Sequence, residues 1–383
     1  MARSVVVLGA GYAGSAAISR LQELDVDGLS ATLVADTPYH LVRHEVHRVV
    51  RRPGVRSHLT IPVQDFLAPE TDFVRGTVDD IETDDRTVHL DDGGTVDYDY
   101  LLVALGSETA FYGIDGLAEH AHTLAGLDDA LGVHEAVTDA ARTATDDEPA
   151  RVVVGGGGLT GIQTAGEIAA LRDRTGGPID VTVVEALRRL LPMGEEDLQS
   201  VLRDALERSG VTVRTGDPIV EATADAVRFD ERDPMDYDVL VWTGGIKGRS
   251  VVDAADLPAQ HDRLVVDTDF QTADDRVFAV GDCAMVDADG TVPPTAQAAM
   301  RAGEVAAENV VREATDRRLE DWSYRDLGTL VSVGETAFAD DLLGYPTPVL
   351  DGAIARVLKK AVAARWIASL TTWPRALRAW DAL

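Results

Sequence analysis

The chain has 383 residues, 45% hydrophobic and 26% charged, a globular composition that excludes collagen-like and largely disordered classes; at roughly one domain per 150 residues it holds two or three domains. Sixty-six acids against 35 bases leave a formal charge of −31, a field that repels phosphate backbones and argues against nucleic acid as a partner. One cysteine, Cys283, excludes an intramolecular disulfide, a CxxC redox pair and a cysteine zinc cluster.

The N-terminus runs straight into a strand-like stretch and reads as lacking a signal peptide. No uncharged apolar run of about 18 residues predicts a membrane span. Ser4 to Leu8 is the first apolar run of strand length. It enters Gly9-Ala10-Gly11-Tyr12-Ala13-Gly14, then a helix-like stretch, Ser15 to Leu24. A second strand, Ala31 to Ala35, ends at Asp36, 22 residues after Gly14. This order of strand, GxGxxG, helix, strand and acid is the dinucleotide-binding pattern. The glycines permit a tight turn and close approach of backbone N–H groups to a pyrophosphate, and the helix N-terminus adds partial positive charge. The acid accepts ribose hydroxyls.

The pattern returns 147 residues on. Arg151 to Val154 is the strand, and Gly156, Gly158 and Gly161 hold the motif spacing. Ile162 to Leu171 reads as the helix and Val181 to Val184 as the next strand. Glu185 is the acid, 24 residues after Gly161. One GxGxxG is weak evidence; two complete units are strong. A tail repeats too: Asp97-Tyr98-Asp99-Tyr100 followed by Leu101 to Gly106 parallels Asp236-Tyr237-Asp238-Val239 followed by Leu240 to Gly245. Glycine at each exit lets backbone lie against a flat ring, which places Ala104, Gly106, Gly244 and Gly245 beside bound cofactors. The fold class is α/β: two Rossmann-like dinucleotide-binding domains plus a C-terminal module.

With these two units the chain resembles the two-dinucleotide-binding flavoproteins, the glutathione-reductase-like superfamily. Thr268 to Asp275 followed by Arg276 to Asp282 is similar to that family's second flavin motif. The resemblance implies FAD in the first unit, along Gly9, Gly11, Tyr12, Ala13, Gly14 and Asp36, with Asp282 on the ribityl chain. It implies NADH in the second, along Gly156, Gly158 and Gly161, with Glu185 on the ribose. A carboxylate there favours NADH over NADPH, although Arg188 and Arg189 stand close by. Disulfide reductases and sulfide:quinone reductases of this fold use cysteine pairs, which Cys283 alone cannot supply.

Pro293 to Arg301 narrows the resemblance to type II, non-proton-pumping NADH:quinone oxidoreductases. In those enzymes an Ala-Gln pair faces quinone and flavin, implying roles for Ala296 and Gln297. Arg301 stands where many relatives carry a second Gln, four residues on and on the same helical face. Gln163 stands where relatives carry a Glu, so it can hydrogen-bond but not titrate. Glu167, one turn later, is either a proton relay or a polar helix residue. The resemblance implies a discontinuous FAD domain (1–108 and 241–318), an NADH domain (109–240) and a C-terminal module (319–383).

From Asp351 to Leu383 six bases face two acids, and three of the five tryptophans, Trp366, Trp373 and Trp380, gather there. Bases and Trp on an amphipathic segment suit a membrane interface. Ile354, Val357, Leu358 and Val362 share one helical face, with Arg356, Lys359 and Lys360 on the other. Arg365 breaks the wheel and Pro374 interrupts it, which predicts two short segments rather than one helix. The reading is a peripheral foot on the cytoplasmic side of the membrane; a homodimer contact or core-docking helix pair is the alternative. Only three lysines occur, Lys247, Lys359 and Lys360, and Asp outnumbers Glu by about two to one. That balance resembles proteins of salt-accumulating cells. Alternatives for the activity are a soluble NADH oxidase or ferredoxin reductase, a flavin redox sensor, and a non-enzymatic scaffold.

Overall fold

The computed structural model describes residues 3–286, 292–345 and 347–383. Strand β1 (Arg3–Leu8) carries Val5 to Leu8, all fully buried. It sits in the middle of a parallel sheet, where both faces are covered and the strand reads as one apolar run. Helix α1 (Tyr12–Leu24) returns to β2 (Leu29–Ala35). The short helix α2 (Arg48–Arg51) follows, then β3 (Asp72–Arg75) and β4 (Tyr100–Val103).

A ribbon, Glu108–Thr109 against Ile246–Lys247, leads into a second unit. There α3 (Leu127–Thr143) precedes β5 (Ala150–Gly155), α4 (Leu159–Thr175), β6 (Ile179–Glu185), β7 (Val211–Thr215) and β8 (Val239–Trp242). Its sheet is parallel in the order β7-β6-β5-β8. The chain then returns to supply β9 (Val277–Ala279), which completes the first sheet in the order β9-β4-β1-β2-β3. Helix α5 (Ala296–Ala314) packs on α1 so closely that a Cβ on Gly303 would stand 2.3 Å from the Ala13 carbonyl oxygen.

The expected boundary between residues 240 and 241 cuts β8. Its residues pair with Val152–Gly155, so this strand belongs wholly to the second sheet, and the change of unit comes after Trp242.

The C-terminal module is a hairpin, β10 (Thr329–Val333) and β11 (Thr336–Asp340), covered by α6 (Gly352–Leu370), with α7 (Trp373–Ala379) after it. The expectation of two short segments needs correcting. Helix α6 is continuous over 19 residues, and the break comes only at Thr371–Thr372, ahead of Pro374. The wheel is irregular because α6 has apolar residues on two sides. Ala355, Ala363, Trp366, Ile367 and Leu370 are buried against the protein, while Ile354, Val357 and Val362 face outward at 64, 54 and 48% exposure. Among the described residues no helix is long and apolar enough to cross a membrane.

Candidate functional site: two matched cradles and a shared cavity

The two Gly-rich turns share the same hydrogen bond at their first glycine. Gly9 N–H donates to the Val34 carbonyl at 2.7 Å and Gly156 N–H to Val184 at 2.8 Å. Both glycines have positive φ, +102° and +104°, which a side chain rarely adopts. A Cβ on Gly14 would stand 1.8 Å from the Gly9 carbonyl oxygen, and one on Gly161 1.8 Å from that of Gly156. These outer glycines are demanded by the turn itself.

The middle glycines differ. A Cβ on Gly11 or Gly158 meets nothing within 4 Å, and both have φ near −75°. Neither sterics nor φ requires glycine there. No side chain caps α1 or α4. Open space beside an uncapped helix start, in front of a close-approach glycine, fits a dinucleotide pyrophosphate. The residues present therefore fit FAD and NADH.

The repeated tails agree. Asp99 accepts from the Ser4 N–H at 2.8 Å, and Asp238 from the Arg151 N–H at 2.7 Å. Ala104 is buried beneath the first turn, its carbonyl 2.5 Å from a Cβ on Gly9. Gly106 has φ of +70° and open space. Gly244 and Gly245 have a different reason from the one expected. A Cβ on Gly244 would stand 2.2 Å from the Trp242 ring, and one on Gly245 1.9 Å from the Tyr112 hydroxyl. The flat rings they accommodate belong to the chain.

The two acids are not equivalent. Asp36 is exposed, with Arg249 at 4.0 Å. Glu185 is buried and braces its own loop: one carboxylate oxygen accepts from Gly157 N–H at 2.6 Å, the other from Leu187 N–H at 2.8 Å. Asp282 accepts from the Ser107 hydroxyl at 2.9 Å, which fixes it beside the Gly106 exit.

The units meet at a cavity of about 110 Å³, lined among others by His44, His47, Thr109, Gln163, Thr243 and Gly245. Both units and the ribbon contribute. A larger, open depression of about 700 Å³ around Arg214 and Arg232 shares no lining residue with it and holds none of the expected site residues. Gln163 accepts from the Ser332 hydroxyl at 3.4 Å, and Ser332 also lies 3.4 Å from His47 Nε2. Burial pushes the pKa of His44 down to about 4 and that of His47 well below its ordinary value. Lys359 and Arg48 add to both shifts, against Glu45.

Glu167 does not line the cavity. It is fully buried in an alternating ladder of charge: Glu335, Arg51, Glu167, Arg48, Glu45, Lys359. Arg51 Nε lies 2.6 Å from Glu167 and Arg48 lies 3.9 Å from it; Arg48 and Lys359 both contact Glu45. Only Glu335 is exposed. Three acids and three bases thus join α2 of the first unit, α4 of the second and α6 of the tail. Burial lifts Glu167 above its ordinary value against Arg51 and Arg48. Burial acts the same way on Glu45, but Lys359 and Arg48 outweigh it and hold that carboxyl far below.

At the start of α5, Gln297 donates from Nε2 to the Arg325 carbonyl at 3.2 Å, next to Ala296. Arg301 is exposed on the same helix, one turn on. Cys283 is buried, its thiol bonded to the Val103 and Val280 carbonyls, and it is the chain's only cysteine.

Sequence reasoning missed His44, Glu45, His47 and Arg48. A signal existed: three of the nine histidines crowd into the nine residues Tyr39 to His47.

Residues 3–303 match the family model described as pyridine nucleotide-disulphide oxidoreductase. The chain is 31% identical to a type II NADH:quinone oxidoreductase of Staphylococcus epidermidis over 398 aligned positions, covering 96% of each chain. To the enzyme of that name from Staphylococcus aureus (strain NCTC 8325) it is 29% identical, covering 95% of this chain and 94% of the relative. Among solved structures, NDH2 from Plasmodium falciparum in complex with NADH superposes with a TM-score of 0.87 at 17% identity, covering 100% of this chain and 97% of that one. The sulfide:quinone oxidoreductase of Aquifex aeolicus gives 0.81 at 20% identity, covering 96 and 91%. At those identities the structural likeness shows a shared fold.

Proposed function

The chain belongs to the pyridine nucleotide-disulphide oxidoreductase family and, within it, to the type II NADH:quinone oxidoreductases; on that footing we propose that it oxidises NADH with FAD in the first cradle and a quinone as acceptor, at a membrane surface. The observation that carries this reading is the matched pair of cradles. Both exclude a side chain at the outer glycines and leave open space at the middle one, and their units share one cavity. When bound, FAD supplies the redox chemistry, taking a hydride from NADH and passing two electrons to the quinone.

The chain's own residues bind, orient and screen. Gly9, Gly11, Gly14 and Asp36 receive the FAD dinucleotide, with Ala104, Gly106 and the Ser107-held Asp282 at its flavin end. Gly156, Gly158, Gly161 and Glu185 receive NADH, and the Glu185 carboxylate repels a 2′-phosphate. Gln163 and Gln297 offer amides to carbonyl groups of the nicotinamide or quinone. Arg301 offers a cation one turn beyond. Gln163 cannot exchange a proton. Glu167 does not line the cavity and is paired with Arg51 and Arg48, so its role is to hold the units together. The outward face of α6 (Ile354, Val357, Val362) and the exposed Trp373 and Leu377 of α7 form the membrane foot.

The test is an absorbance spectrum of the purified protein in molar salt. Anaerobic NADH should bleach a flavin band, and a short-chain quinone should restore it. Restoration by oxygen or an iron–sulfur protein but not by quinone would favour a soluble reductase. A colourless protein that binds no added FAD would refute the cradle assignment.

A further inference from the structure

In the first cradle the Ala10 carbonyl oxygen takes two hydrogen bonds from within the protein, from the Ser15 hydroxyl at 3.1 Å and from His40 Nδ1 at 2.9 Å. In a trans peptide the following N–H lies anti to the carbonyl. Two donors on that oxygen therefore set the tilt of the Ala10–Gly11 peptide, and with it the direction of the Gly11 N–H. Gly11 is the open, close-approach position.

His40 is fully buried, and its other nitrogen, Nε2, accepts the indole N–H of Trp366 at 2.8 Å. Indole only donates, so Nε2 is the bare nitrogen and the single ring proton sits on Nδ1, facing Ala10. Burial pushes the His40 pKa down to about 4, against the Ala10 carbonyl, so the ring is neutral near pH 7. Trp366 thereby fixes both the tautomer and the ring position. The rings agree: Trp366 lies 5.5 Å from His40 at 71° and 5.5 Å from Tyr12, the first residue of α1. Trp366 is on α6, in the C-terminal module. In the second cradle the equivalent carbonyl, Gly157, accepts from Leu191 N–H at 2.7 Å and the loop is held by Glu185, so among the described residues its braces come from its own unit.

We propose that Trp366 is a positioning residue for flavin retention: through His40 the tail helix sets the peptide plane that receives the FAD pyrophosphate. A nucleotide that must stay is braced by a second module, and one that must exchange is not. This inference rests on FAD occupying the first cradle.

The experiment uses the full-length holoprotein in molar salt. Samples are diluted stepwise and released FAD is followed by its fluorescence, with unfolding midpoints measured on the same samples by circular dichroism. Trp366→Phe keeps an aromatic ring and removes the donor. Losing about one hydrogen bond, it should weaken FAD binding about fivefold to tenfold, beyond what the modest fall in the unfolding midpoint of FAD-stripped protein from the unpaired His40 nitrogen accounts for. Ser15→Ala removes the other donor on Ala10 and should weaken FAD binding similarly. In a His40→Phe background, adding Trp366→Phe should change FAD affinity no further, because the two act in series. Wild-type affinity in Trp366→Phe, or a loss that only tracks a lower unfolding midpoint, overturns the proposal. A wild-type protein that takes up no FAD overturns the assignment of the cradle, and the proposal with it.

Discussion

At Gly14 one methyl group is enough to break the first cradle, because it would land on a backbone oxygen 1.8 Å away that has no rotamer to change. Gly14→Ala should cost about 1–3 kcal/mol of stability as well as FAD content, measured by denaturant unfolding and by the flavin absorbance of the purified protein. Gly11→Ala separates the two effects. Its methyl has room and its φ suits any residue, so unfolding should be near wild type while FAD content falls. Glu185→Gln keeps the shape but can no longer accept from both Gly157 and Leu187 N–H groups and from a ribose as well. It should raise the KM for NADH about tenfold with little change in kcat, a loss of about 1.4 kcal/mol of ground-state binding. The glycine roles were legible in the sequence because spacing within six residues encodes a turn. The bracing role of Glu185 was not, because it depends on where the carboxylate points.

The helices carry the next order of information, and here the sequence was a poorer guide. The wheel put Lys359 with Arg356 and Lys360 on a polar face. It is instead 3% exposed, turned inward onto Glu45 of a segment far away in the chain. No local periodicity reports a partner so distant. Lys359→Met should cost about 3 kcal/mol, since removing one partner of a buried pair leaves the other charge stranded, here with Arg48 as its remaining cation. Lys359→Met with Glu45→Gln should recover much of that loss; denaturant unfolding of both variants decides. Glu45 is held below its ordinary 4.5 in the folded state, so its ion pairs contribute fully above that value. Their contribution falls away as pH drops through it. Wild type should lose stability on acidification below about pH 4.5 more steeply than the double variant, read as unfolding free energy against pH.

For the molecule as a whole, charge sets the conditions. A formal −31 on 383 residues repels itself wherever salt does not screen it. The screening length falls from about 10 Å at 0.1 M to about 3 Å at 1 M, so the thermal midpoint should rise on adding potassium chloride over that range. The same screening weakens the pull of the basic tail on anionic lipid. Under the proposed reading, a foot in molar salt would act through apolar area: Ile354, Val357 and Val362 on α6. Val357→Glu should then reduce co-sedimentation with vesicles while leaving turnover of a water-soluble quinone near wild type. The doubling of the nucleotide unit was the most legible feature of the whole chain, since each run of strand, glycine turn, helix, strand and acid is built from neighbours in sequence. The junction expected between 240 and 241 falls two residues inside β8, which is the second sheet's own strand to Trp242.

The ladder has a practical consequence for anyone wishing to trim the foot and make a version that stays in solution. A stop codon ahead of Gly352 would remove one of the two cations on Glu45 and the indole over His40 in one cut. What remained would be a core whose Glu45 keeps only Arg48 and whose first Gly-rich turn has lost its outside brace. Removing the proposed lipid contact calls for repainting the outer side of the last helices while their inner side is left alone.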